Sequence, residues 1–165
     1  MGLSNLGIIH TIVGIVAITA ALISYVKYQR IYLGSRSGLI YFYGTLITSL
    51  TAFGLSSTGG FNPGHILSLL VIALVLVAYF LYAKRKGNTG ARYFETFCMS
   101  FSFFLSLIPT VNETFTRLPV GSPLANGPTD PLIATALLVL FVLFIAGFIY
   151  QFVRQRKINS QGEGA

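Results

Sequence analysis

SSTGGFNPG, residues 56 to 64, interrupts a stretch from 37 to 83 that holds no charged side chain. A bilayer core takes roughly 20 predominantly apolar residues per helix, so the stretch is long enough for two spans if something divides it. The glycines and Pro63 punctuate a helix, and the polar groups around them belong near water. The nine residues therefore read as a turn between two spans.

Three further segments, 1 to 26, 96 to 112 and 131 to 153, are also free of charge. With 54% hydrophobic and 9% charged residues, the chain departs from soluble proteins, in which about a quarter of residues are charged. It reads as an all-α integral membrane protein of five transmembrane helices. The spans are placed near 5–30, 37–56, 64–83, 92–113 and 131–153. They form one transmembrane domain over 1–157, followed by a short cytoplasmic tail, 158–165. The longest connection, Thr114 to Asp130, is a Pro/Gly-rich loop, and no soluble domain is expected.

The net charge of +7 does not point to nucleic acid, because the charges flank the helices. Lys27, Arg30 and Arg36 lie between spans one and two, and Lys84, Arg85, Lys86 and Arg92 between three and four. Arg154, Arg156 and Lys157 follow span five. Ten of the eleven basic residues thus fall on one side, with Arg117 alone opposite. The positive-inside rule makes the basic side cytoplasmic, giving an N-outside, C-inside arrangement in a cytoplasmic (inner) membrane. Residues 1 to 7 lack a basic n-region, so no cleaved signal is expected. Cys98 has no partner for a disulfide or a metal motif and reads as a packing residue. The KRK run at 84–86 suits anionic head groups of the lipid bilayer.

Helical spacing arranges the polar and small residues in stripes. In span one these are Gly7, His10, Gly14, Ala17, Ala21 and Ser24; in span three, His65, Ser68, Ile72, Val75, Tyr79 and Tyr82. Span two contributes Gly38, Tyr41, Thr45, Thr48 and Ala52, and span four Arg92, Glu95, Met99, Ser102, Ser106, Pro109 and Glu113. Steps of three and four keep each set on one helix face. Span five is almost wholly apolar. The expected architecture is a four-helix bundle with a fifth, peripheral helix against lipid or a partner protein.

His10 is 17 residues from Lys27 and His65 is 19 from Lys84, which places both roughly 25 to 29 Å above the basic boundary. Glu113 comes out slightly higher. Ionisable groups inside spans are costly and by default functional hypotheses. His10, His65 and Glu113 are therefore the candidate ligand-binding residues, able to hold haem, a metal or a quinone between two helices. The alternative is structural, each histidine bonding a neighbouring carbonyl or hydroxyl. At the basic end Arg92 and Glu95 are one turn apart and can pair, with Tyr79 and Tyr82 at nearby depth.

His10 with Gly14, Arg36-x-Gly38-x-x-Tyr41, Gly64-His65-Ile-Leu-Ser-Leu-Leu, Arg85-x-Gly87 and Ile108-Pro109 resemble a family of bacterial polytopic membrane proteins, domain of unknown function two-three-zero-six. The resemblance covers spans one to four and implies a bacterial membrane but no activity. Members often carry a further histidine just after the basic loop, where this chain has Arg92.

No catalytic constellation is present. Two functional classes follow: a non-enzymatic accessory or assembly subunit of a larger membrane complex, docking through span five (131–153), and a redox or ligand-binding protein using His10 and His65. A transporter fits less well, since no span has an interrupting Gly/Pro pair or a mid-membrane carboxylate.

Overall fold

The computed structural model of the protein describes residues 4–55, 62–85 and 87–162. These form five helices: α1 (Asn5–Tyr28), α2 (Arg36–Ala52), α3 (Pro63–Lys84), α4 (Thr89–Arg117) and α5 (Pro131–Gly162). One turn of 3-10 helix, Phe53–Leu55, prolongs α2. All five are long and apolar enough to cross a membrane, and no strand occurs among the described residues. Residues 56–61 of the dividing turn, and Lys86, lie outside the described residues.

Each helix starts where a short polar side chain can satisfy its first free amides. The Ser4 hydroxyl accepts from Gly7 N at 3.1 Å, Ser35 from Gly38 N at 3.0 Å, and Asn88 from Ala91 N at 2.9 Å. Asn62 caps α3, with Pro63 at the first position, where its missing N–H costs nothing. Ahead of α5, the Asp130 carboxylate accepts from Leu132 N at 2.9 Å and Asn126 N at 3.0 Å. Helix α1 stops at Gln29, a non-glycine residue in the left-handed region (φ 57).

Consecutive helices pack on one another, α1 on α2, α2 on α3, α3 on α4 and α4 on α5. Gly44 brings α2 close to α1, since a Cβ on it would stand 2.9 Å from the Ala17 Cβ. The common core joins Ala17, Ala20 and Ala21 of α1, Tyr41 and Phe42 of α2, Val75 and Ala78 of α3, and Cys98 and Met99 of α4. Ile31 and Leu33 of the α1–α2 loop complete it; none of its buried members comes from α5. The loop is tied back by Ser24, whose hydroxyl donates to Arg30 O and accepts from Tyr32 N, both at 3.0 Å.

Most of the expected stripes are buried. In α1, Gly7, Ala17, Ala21 and Ser24 are buried, with His10 and Gly14 half-buried on the same face. The lower half of α3 turns differently. Val71, Val75 and Ala78 are buried there, while Tyr79 is 40% exposed and stacks on Phe42 at 4.9 Å between ring centroids. Tyr79 therefore leaves the expected stripe, because a steady step of three to four residues drifts around the helix and Ala78 lets α3 approach its neighbours more closely.

Helix α5 attaches to α4 through rings. Phe97, Phe101 and Phe104 of α4 face Phe141, Phe144 and Phe148 of α5, with centroid separations of 5.3 to 6.4 Å across the pair. It also runs past residue 153, where the span was expected to end, and buries Gln151 and Gln155.

Candidate functional site

His10 and His65 meet the same end of α2 from opposite neighbours. His10 lies on α1, and its Nδ1 is 3.0 Å from the Thr51 hydroxyl. That hydroxyl has one proton and directs it to the carbonyls of Ile47 and Thr48, each at 3.0 Å. It must therefore accept from His10, so the imidazole carries its proton on Nδ1.

His65 sits in the first turn of α3 and is buried. Its Nδ1 accepts from the Asn62 amide at 3.4 Å, while the Asn62 side chain accepts from the amides of Gly64 and His65. This is a reciprocal capping box with histidine in the returning position. The neutral ring consequently carries its proton on Nε2. Its face packs on Phe53, two residues beyond Thr51, at 5.2 Å between centroids.

Glu113 is close enough for its charge to act on His10. Its side chain is 53% exposed and forms an ion pair with Arg117, one turn further along α4. No group of three His, Cys, Asp or Glu that could hold a metal ion occurs among the described residues.

Near that end a cleft of about 270 Å³ lies between Pro63 and Leu67 of α3, Pro109 and Asn112 of α4, Pro128 of the preceding loop and Ile133 of α5. The 118–130 loop reaches it through Pro128 and is anchored where Ala125 N donates to Phe115 O at 2.9 Å. Its lining is largely apolar.

The basic end holds a more polar cleft, of about 230 Å³. Lys27, Arg30, Arg92 and Arg154 line it together with Tyr28 and Gln155. Arg30 Nη1 donates to Gln155 Oε1 at 3.2 Å and its guanidinium lies over the Tyr32 ring at 4.8 Å. Arg154 Nη1 donates to Tyr28 O at 2.8 Å. Burial lowers the proton affinity of Arg30, and the Glu95 carboxylate works against that shift. Glu95 itself is buried at 6% exposure. Behind the cleft, the Ser100 hydroxyl donates to Gln151 Oε1 at 2.9 Å, joining α4 to α5.

Sequence reasoning placed the basic residues on one side but did not bring Arg30 and Arg154 together. The available pointer was Gln151 with Gln155, two amides one turn apart on an otherwise apolar helix.

No family model matches the chain, and neither a curated protein nor a solved structure matches it.

Proposed function

We propose that this protein is a non-enzymatic accessory or assembly subunit of a larger bacterial inner-membrane complex. Helices α1 to α4 are its bundle, its N-terminus lies outside and C-terminus inside, and α5 is the docking helix. The observation that carries the reading is the position of α5: 6% of its span is buried within the protein, against 17 to 39% for the other four. It shares no buried residue with the common core. Leu138, Val142, Leu143 and Ile149 present apolar surface away from α4, suited to an apolar transmembrane helix of a partner.

Mild-detergent purification from native membranes, followed by chemical cross-linking, tests this. A stoichiometric membrane partner cross-linked to α5, and lost when Leu138 and Val142 are both replaced by Trp, is the expected result. A chain that purifies alone and cross-links to nothing through α5 overturns it. For orientation, a reporter fused after Ala165 should be active as a cytoplasmic fusion and silent as a periplasmic one.

A second reading keeps a ligand between His10 and His65, favoured by their meeting at one helix end. The capping bond puts the His65 proton on Nε2, which suits donation to a quinone carbonyl better than ligation of haem or a metal. Quinone co-extracted with the wild type and lost in His65→Ala supports it; a Soret band lost in both His10→Ala and His65→Ala would restore haem.

A further inference from the structure

The four cations at the basic end gather around one space although they come from α1, the α1–α2 loop, α4 and α5. Arg92 and Arg154 each add repulsion at Arg30, and Glu95 is the carboxylate that offsets it. Four positive charges against that one carboxylate leave an excess of three, held where burial already weakens hydration of Arg30. Like charges converging in a partly dehydrated cleft repel more than they would in open water.

The arginines are also held in place. Arg30 is fixed by Gln155 and the Tyr32 ring, and Arg154 by the Tyr28 carbonyl. A guanidinium has five N–H donors, so each fixed arginine keeps donors for a further acceptor. Planar forks of this kind suit phosphate oxygens, which accept several charge-assisted bonds at once.

We propose that this cleft binds a phosphate group, carried by an anionic phospholipid head group or by free phosphate. The lipid source has a direct path, because Val26 of α1 and Val153 of α5 expose apolar surface at the level of the cleft, along which acyl chains can lie. The assignment is independent of the accessory-subunit reading and of the histidines.

Native mass spectrometry of the detergent-purified full chain tests it, titrating phosphatidylglycerol against phosphatidylcholine of the same chain length. Inorganic phosphate is assayed separately by its effect on thermal unfolding. Lys27→Gln should weaken phosphatidylglycerol binding about fivefold, and Lys27→Gln with Arg92→Gln roughly twenty-fivefold, at about a factor of five per cation near the surface. Arg117→Gln removes one positive charge at the opposite end of α4 and should change binding less than about twofold, against the fivefold of Lys27→Gln.

That pattern assigns the site to a lipid head group. Stabilisation by inorganic phosphate that disappears in the Lys27/Arg92 variant, without lipid preference, assigns it to the free ion. Equal losses in the cleft and control variants, or no anion dependence in the wild type, overturn the proposal. Lys27 is exposed, so its single variant keeps the test decisive if the double variant does not fold.

Discussion

The Tyr41 hydroxyl and the Ser102 hydroxyl lie 2.8 Å apart in the fully buried interior, joining α2 to α4 across the common core. Ser102 spends its proton on Met99 O at 2.8 Å, so Tyr41 is the donor. Removing either partner has different consequences. Tyr41→Phe leaves no orphaned donor and should cost about 1 kcal/mol, the net worth of one such bond. Ser102→Ala leaves the buried phenol without this acceptor and should cost about 1 to 3 kcal/mol. Unfolding of the two single variants and the double variant in detergent checks this, the double costing less than the sum of the singles. Strict additivity would mean that the bond does not link the helices.

Three glycines should respond differently to the same added methyl group. Gly14 has room, its would-be Cβ lying 3.5 Å from Thr48 Cγ2, so Gly14→Ala should be neutral or stabilising by up to about 1 kcal/mol through helix propensity. At Gly44 the contact with Ala17 is too close, and Gly44→Ala should cost about 1 to 3 kcal/mol as overpacking. Gly38 is the most restricted, because its Cβ would collide with the Tyr32 carbonyl, a backbone atom that cannot rotate aside. Thermal unfolding should therefore rank Gly38→Ala below Gly44→Ala, with Gly14→Ala near the wild type. Gly14→Leu should still lower the midpoint well below Ile15→Leu, since Ile15 is 60% exposed.

At Asp130, the amides of Leu132 and Asn126 hold the carboxyl below its ordinary value of 3.8, backbone bonding outweighing a small opposite effect of burial. A depressed folded-state value means that the carboxylate supports the start of α5 above pH 3.8 and loses that role as pH falls through the lower folded value. The Leu132 amide resonance should move in the same acid range and stay flat in Asp130→Asn. A midpoint at or above 3.8 would contradict the capping geometry.

The number of helices was legible because charge and hydropathy act over whole spans, and the polar, glycine-rich composition of SSTGGFNPG divides the long uncharged stretch. The stripe of α1 was legible for a related reason: small residues at steps of three and four mark where a backbone can come close. Tyr79 was harder, since a tyrosine at helical spacing suits an inward hydroxyl and an outward ring equally well. Its stacking on Phe42 depends on the neighbour's position. His65 is buried, as its inward spacing predicts; what the spacing does not carry is the bond from Asn62 to its Nδ1, a role that His has less often than Glu or Gln in a capping box. The basic cleft was hidden because sequence separation conceals it: Arg30 and Gln155 are 125 residues apart, and only the continuation of α5 beyond residue 153 brings them together.

The phenylalanines between α4 and α5 behave as a toothed rack. Their rings recur every three or four residues on both helices, so sliding α5 by one turn, about 5.4 Å, exchanges most ring partners for identical ones and leaves only the end rings unmatched. Ring contacts alone would leave several settings of nearly equal energy. The stop is at the basic end, where Ser100 holds Gln151 and Arg30 holds Gln155; a one-turn slide breaks both bonds. The two glutamines, with Arg154 on the Tyr28 carbonyl, thereby select one setting of a helix that the rings merely keep attached, and leucine at both glutamine positions would weaken that stop while retaining the helix.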